Sequence, residues 1–201
     1  MRVYAETNFV LEMVLEQGEV LEATALVELA ERRSIALVLP SAALFETYDT
    51  VHRRRTERRA LVKRIEDELL QVGRSLSMAS EASQLRGTLV RADALVTQRF
   101  EDVRQRLLAI VDWIPLDHAV FDEACRLEIA HGLGTPDAIM LASVLLHARA
   151  AGGEAIFVTK NPRDFDTPDV RSALSAVRCA PLFKIAAAHA RVTATAATVT
   201  R

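Results

Sequence analysis

The stretch that decides the fold runs Gly132-Leu-Gly-Thr-Pro-Asp-Ala-Ile-Met-Leu-Ala-Ser-Val-Leu-Leu-His-Ala-Arg-Ala150. Thr135 is a favourable N-cap residue, and Pro136 suits the first helical position, where a missing N–H group costs nothing. The residues that follow are apolar on nearly every side, which predicts a helix packed on nearly every side. Asp137 then lies in the first turn, near the positive end of the helix dipole. This carboxylate either supports the helix start or serves a function, and the rest of the chain must decide.

Length and composition limit the classes of protein to which the chain can belong. The 201 residues are 50% hydrophobic, which is ample for the core of one domain. The 25 basic and 27 acidic residues give a net charge of −2, so nothing global indicates nucleic-acid binding. Cys125 and Cys179 lack metal-binding spacing, and we expect both to be reduced and buried. No apolar run reaches the ~18 residues of a membrane span, and we expect a cytoplasmic protein without a signal peptide.

Strand-like segments alternate with helical ones on both sides of the central stretch. The helix that contains Glu46 follows the second strand, and the helix that contains Asp137 precedes the fourth. Such alternation predicts an α/β fold, with a mainly parallel sheet flanked by helices on both faces. The predicted strands are residues 2–5, 35–39, 110–116, 155–158 and 177–180.

Residues 50–111 have a different pattern. Apolar residues recur there at steps of three, four and seven, which predicts two long antiparallel helices packed along one seam. We interpret this segment as a helical-hairpin insertion in a single domain that spans residues 1–181, and residues 182–201 as a loosely ordered tail. The seam residues are Leu61, Ile65, Leu69, Val72 and Leu76 on the first helix, and Leu89, Val96, Val103 and Ile110 on the second.

The first half of the insertion carries the densest basic run in the chain. A run of this kind on a helix is most often a solvated face. The alternative is that it contacts the phosphates of RNA or an acidic protein partner. The residues are Arg53, Arg54, Arg55, Arg58 and Arg59.

Acidic residues follow the predicted strands at corresponding positions. Glu6 comes directly after the first strand, Glu46 lies just beyond the second, and Asp164 lies in the loop after residues 155–158. In parallel α/β folds, ligands bind outside the carboxyl ends of the strands, and the start of the Asp137 helix faces the same edge. Carboxylates that converge there repel one another unless a cation lies between them. Such hard oxygen ligands suit Mg²⁺ or Mn²⁺ better than zinc.

Four segments together resemble the PIN-domain family, the metal-dependent ribonuclease fold that includes VapC-like toxins of bacterial toxin–antitoxin pairs. They follow the order of the family and cover the beginning and the last third of the chain, while residues 50–111 lie outside the common pattern. The segments are Val3-Tyr-Ala-Glu-Thr-Asn-Phe-Val10, Pro40-Ser-Ala-Ala-Leu-Phe-Glu46, Gly134-Thr-Pro-Asp-Ala-Ile-Met-Leu-Ala142 and Phe157-Val-Thr-Lys-Asn-Pro-Arg-Asp-Phe165.

The resemblance implies the roles of individual residues. The metal ligands would be Glu6, Glu46 and Asp137, with Asn161 or Asp164 completing the site. Thr159 would orient a ligand or a water, and Asn8 would brace the first loop. The chain departs from the family pattern twice: Glu6 stands where Asp is usual, and the neutral Asn161 stands where Asp is frequent. Either change can weaken metal binding or mark a protein that has lost its activity.

The functional expectation is hydrolysis of RNA phosphodiester bonds by a Mg²⁺- or Mn²⁺-dependent endoribonuclease, either a toxin or an RNA-processing enzyme. Its partners would be RNA, an antitoxin or another protein, and a second copy of the chain packed along the helical seams. The alternative is a nucleic-acid-binding or regulatory module that keeps the fold but has a weakened or inactive metal site. A Rossmann dinucleotide site is excluded because no GxGxxG motif follows the first strand.

Overall fold

The computed structural model describes residues 1–72 and 79–199, and at residues 69, 72, 79, 82, 86 and 196–199 only the backbone. The predicted seam position Leu76, the side chains of Leu69 and Val72 and the last two residues of the predicted tail lie outside the described parts. In chain order the elements are β1 (Arg2–Ala5), α1 (Thr7–Val14), α2 (Val20–Glu31), β2 (Ala36–Pro40), α3 (Ser41–Val72), α4 (Ala79–Ile110), β3 (Asp112–Ile114), α5 (His118–His131), α6 (Thr135–Ala151), β4 (Ala155–Val158), α7 (Pro162–Phe165), α8 (Pro168–Ala176), β5 (Cys179–Leu182) and α9 (Ile185–Val199).

The five strands form one parallel sheet in the order β3-β2-β1-β4-β5. β1 lies at the centre, where Tyr4 is paired with Val38 of β2 and with Phe157 of β4. These three side chains are fully buried, as expected for strands that are covered on both faces. The predicted α/β fold is confirmed. Because all strands run in one direction, their carboxyl ends meet at a single edge of the sheet.

The stretch from Gly132 to Ala150 forms the buried helix that its composition predicts. In α6 the side chains of Ala138, Leu141 and Val144 have no exposed surface. The helix begins at Thr135, with Gly134 in extended backbone as its N-cap, so the predicted N-cap residue lies one position too late. Asp137 is in the first turn, as predicted.

The chain divides into two compact units, a core unit of Met1–Thr47 and Val103–Arg201 and a hairpin unit of Tyr48–Asp102. Within the hairpin unit, Tyr48 contacts the rings of His52 and Phe100, and Arg55 pairs with Asp93. Residues that come later on α3 therefore pair with residues that come earlier on α4, as in two antiparallel helices. The predicted pair of long helices is present, and each helix has 32 residues.

The end of the chain differs from the sequence-based expectation. The predicted loosely ordered tail is a helix, α9, whose backbone is described through Val199. Ile185, Ala188 and Val192 are buried. Their spacing of three and four places them on one face, a pattern that the many neighbouring Ala and Thr residues obscure in the sequence.

The expectation that both cysteines are buried is met only in part. Both cysteines are free, but Cys125 is exposed on α5, and only Cys179 is buried. Among the residues that the structure describes, no single helix is long and apolar enough to cross a membrane. Within the same described residues, α5 and α6 taken together reach that length and composition, but they are bent by 117°.

Candidate active site

The acidic residues singled out in the sequence lie in the core unit, next to the carboxyl ends of central strands. Glu6 follows β1 directly and is the N-cap residue of α1. Glu46 lies in the second turn of α3, which begins immediately after β2. Thr159 follows β4, and Asp164 lies on the short helix α7. The parallel topology therefore places residues from distant parts of the sequence at the same edge of the sheet.

Glu6 is a buried carboxyl group held by three hydrogen bonds. Its side chain is only 5% exposed. Its Oε1 atom accepts hydrogen bonds from the Asn8 side chain at 2.8 Å, from the Thr159 hydroxyl at 3.1 Å and from the Lys160 backbone N–H at 3.2 Å. Burial raises the pKa of Glu6, while these hydrogen bonds, led by that from the Asn8 side chain, lower it in part. All three donors contact one oxygen, so they fix the orientation of the carboxylate.

Asn161 lies between two acidic side chains. Its side-chain amide donates to Asp137 Oδ1 at 3.1 Å and to Asp164 Oδ2 at 2.8 Å. Burial raises the pKa of Asp137, the hydrogen bond from Asn161 lowers it in part, and the charges of Asp164 and Glu46 raise it further. The two residues that the resemblance offers for the fourth position, Asn161 and Asp164, are therefore direct neighbours.

Thr159 connects these two groups of residues. Its hydroxyl donates to Glu6 and accepts a hydrogen bond from the Asn161 backbone N–H at 3.0 Å. The side chain is 1% exposed, which leaves it little freedom to rotate. A continuous hydrogen-bonded path therefore runs from Asn8 through Glu6, Thr159 and Asn161 to the aspartates.

Sequence reasoning missed three residues that hold this arrangement. Thr7 donates its hydroxyl to Glu46 Oε2, and its position between Glu6 and Asn8 is the only signal that could have indicated it. Lys160 forms an ion pair with the buried Glu12, and this contact raises the pKa of the Lys160 ammonium group, which therefore stays charged. Lys160 lies in the fourth of the segments that carry the resemblance, which implies no role for it, and Glu12 lies outside all four segments.

The side-chain oxygen atoms at the site are suitable ligands for a hard divalent cation, but the side chains do not surround one common point. Carboxylate and amide oxygens are the ligands that Mg²⁺ and Mn²⁺ prefer. Beyond the effect of burial, the charges of Asp164 and Glu46 raise the pKa of Asp137, and a cation would relieve this repulsion. Within the described residues, however, no three Asp, Glu, His or Cys side chains are grouped closely enough to hold a metal ion.

The predicted basic run lies on α3 within the hairpin unit, and most of it is paired with acids. Arg55, Arg58 and Arg59 lie 3.1, 3.3 and 3.6 Å from the carboxylate of Asp93. Arg53 lies 3.9 Å from Asp49. The single Asp93 carboxylate is therefore shared among three guanidinium groups.

The fold and the site define a class of protein: a parallel α/β domain with acidic side chains gathered at the carboxyl edge of its sheet. A family model described as PIN domain matches residues 3–165, which is more than half of the chain. The chain therefore belongs to the PIN-domain family, whose members are generally nucleases. Comparisons with curated proteins and with solved structures each found no match.

Proposed function

We propose that this protein is a metal-dependent endoribonuclease that hydrolyses RNA phosphodiester bonds. The observation that supports the proposal is the environment of Asp137. Its carboxylate shares the Asn161 amide with Asp164. Burial raises its pKa, and the charges of Asp164 and Glu46 raise it further. Carboxylates that repel one another favour the binding of a cation, because the cation offsets their negative charge.

The metal ligands in this proposal are Glu46, Asp137 and Asp164, with Glu6 and the side-chain oxygen of Asn161 as further donors. Mg²⁺ or Mn²⁺, when bound, would supply an acidified water and offset charge on the phosphate. Thr7 holds the Glu46 carboxylate, and Asn8 and Thr159 hold that of Glu6. Catalysis depends on such support because acidic groups that rotate freely orient a water poorly.

An RNA cleavage assay tests the proposal. The purified chain is incubated with single-stranded RNA, with structured RNA and with DNA of the same sequence, in Mg²⁺, in Mn²⁺ and in excess chelator. We expect RNA fragments with either metal and none with the chelator. Cleavage that persists in chelator, or that is confined to DNA, contradicts the proposal.

A second candidate function is a nucleic-acid-binding or regulatory module with a weakened metal site. It is favoured by the lack, among the described residues, of three acidic or metal-binding side chains grouped around one point. The neutral Asn161 also removes a charge from the position that often carries Asp in the family. This candidate predicts that the chain binds RNA but releases no fragments in either metal, so the same assay separates the two.

The proposal also covers the binding partners of the protein and its location in the cell. A toxin of a toxin–antitoxin pair would bind an antitoxin, and an RNA-processing enzyme would not need one. We propose a cytoplasmic location, RNA as the substrate, and the basic residues of the hairpin unit as contacts for its phosphates. The same unit offers apolar residues for a second copy, since Leu61 and Leu95 are about half exposed.

A further inference from the structure

A cluster of three charged side chains, of which only Glu12 is fully buried, lies beside the site without belonging to the acidic set. Glu12, on α1, has no exposed surface, which is unusual for a glutamate. Its Oε1 pairs with the ammonium group of Lys160, and its Oε2 accepts the backbone N–H of Glu19 at 2.9 Å. The Glu19 carboxylate lies 3.7 Å from the same ammonium group. Lys160 is therefore held by two acids from the first part of the chain.

The backbone of Lys160 has a different role from its side chain. Its N–H group donates to Glu6 Oε1. The neighbouring residues Thr159 and Asn161, in the same loop between β4 and α7, donate to Glu6 and to Asp137. The side-chain ion pair fixes this loop against α1. The loop presents its hydrogen-bond donors to Glu6 only while it keeps this position.

The ion pair also reaches the C-terminal helix. The second carboxylate oxygen of Glu19, Oε1, accepts the backbone N–H of Ala186 in the first turn of α9 at 3.1 Å. Four segments, α1, the loop before α2, the loop after β4 and the start of α9, therefore share one charge cluster. A cluster attached to four segments limits the movement of the Lys160 loop more than a single isolated ion pair would.

We propose that Lys160 is a positioning residue for Glu6, and that Glu12 and Glu19 hold it in place. It acts through the loop after β4, because its anchored side chain fixes the backbone that orients the Glu6 carboxylate toward the metal. This inference rests on the proposed function, since it assigns a supporting role within the same site. Removal of the anchor lowers metal affinity even though no ligand is changed.

A purely structural ion pair is the alternative. In that case the loss of Lys160 destabilises the fold but leaves the metal affinity of the folded protein unchanged. Lys160→Met removes the charge and keeps the backbone N–H, and Lys160→Arg keeps the charge. The double variant Glu12→Gln with Lys160→Met avoids leaving a buried carboxylate unpaired, so the test continues if the single variant fails to fold.

The first measurement is Mn²⁺ affinity by calorimetry on the full chain, well below the melting temperature of each variant. We expect Lys160→Met and the double variant to bind Mn²⁺ about tenfold or more weakly, as for loss of a residue that orients a ligand. Lys160→Arg should stay close to the parent. Glu31→Gln is the matched control, because it breaks the ion pair with Arg106, which takes no part in the site. Parental Mn²⁺ affinity in both Lys160→Met and the double variant overturns the inference.

The second measurement is amide hydrogen exchange without metal, which keeps this inference separate from the proposed function. We expect the amides of residues 160 and 161 to lose protection in Lys160→Met and not in Glu31→Gln. If the parent binds no Mn²⁺, the proposed metal-dependent function is refuted. The amide hydrogen exchange then becomes the test of whether Lys160 positions the loop. Unchanged protection in Lys160→Met then overturns the inference as well.

Discussion

The side-chain amide of Asn161 donates a hydrogen bond of 3.1 Å to the carboxylate of Asp137. The same amide donates to Asp164 at 2.8 Å, so one neutral residue separates two acids. An aspartate at this position would place three carboxylates in contact and would require a cation to offset their repulsion. Because Asn161 is neutral where the family often has Asp, the carboxylates of the metal-free site repel one another less.

The first prediction concerns Asn161→Asp. The variant replaces two hydrogen-bond donors with a charge, so the metal-free protein should melt at a lower temperature than the parent. Mn²⁺ should then raise the melting temperature of the variant by more than that of the parent, because a tighter site gains more from the same metal concentration. The measurement is thermal unfolding in chelator and in Mn²⁺. An equal shift in both proteins would show that Asn161 does not face the metal.

Asp137→Asn should lower RNA cleavage by about 100-fold or more, the size expected for the loss of a group that stabilises developing charge. The fold should persist, because asparagine has nearly the same size as aspartate and the buried residues of α6 hold the helix in place. The measurement is the cleavage rate, with circular dichroism as the test of folding.

The chain contains its own matched control for this variant. Asp169 follows Thr167 and Pro168 in the first turn of α8, so the Thr-Pro-Asp sequence of α6 recurs at a second helix start. Asp169 is exposed, and Asp169→Asn should cleave RNA like the parent. Equal activity of the Asp137 and Asp169 variants would show that Asp137 is only a charge at a helix terminus and has no role in cleavage.

Thr7→Val should weaken Mn²⁺ binding by about tenfold, because the Glu46 carboxylate loses the hydroxyl that orients it. Valine keeps the volume and the branched shape, so packing should change little. Thr47→Val is the control, since the buried Thr47 hydroxyl donates to the Ala43 carbonyl of its own helix at 2.7 Å. Similar losses in both variants would indicate a general effect of removing a buried hydroxyl.

A fourth prediction concerns the basic residues of the hairpin unit. If Arg54, Arg55 and Arg58 bind the phosphates of single-stranded RNA, their replacement by Ala should reduce the slope of log K against log[salt] by about 0.7 for each phosphate that is no longer bound. Asp93→Asn should act in the opposite direction, because it removes the acid that now pairs with Arg55 and Arg58. Filter binding over a range of salt concentrations measures both. A slope that stays constant in both variants assigns these residues to packing within the hairpin unit.

The last prediction is a pH dependence away from the site. Burial raises the pKa of Tyr4 from 10.0 to about 12, and its hydroxyl is 2.9 Å from His147 Nδ1. Because the folded state holds this proton more tightly than the unfolded state, the contribution of Tyr4 is present below pH 10.0 and is lost as the pH rises toward about 12. Tyr4→Phe should be less stable by about 1 kcal/mol at neutral pH, and the difference should shrink across that window. Urea unfolding at several pH values measures this change, and a constant difference would contradict the assigned pKa.

Local patterns in the sequence determined the class of fold and the set of acids. Apolar runs bounded by polar residues predicted the parallel strands, and the apolar stretch after Asp137 predicted the buried helix. These predictions held because burial on all sides leaves no room for polar residues, which makes such elements visible in composition alone. The order of strands and helices then predicted that Glu6, Glu46 and Asp137 belong to one edge of the sheet.

Only the tertiary structure decided that Thr7, Lys160 and Glu12 also support these acids. Glu12 and Lys160 are separated by 148 positions, and Thr7 and Glu46 by 39. Asn161 likewise lies between two aspartates because the start of α6 is close to the start of α7. Such contacts depend on the relative placement of whole elements, and that placement follows from packing of the entire core. Sequence periodicity reports which face of an element is buried, but it does not report which residue of another element lies against that face.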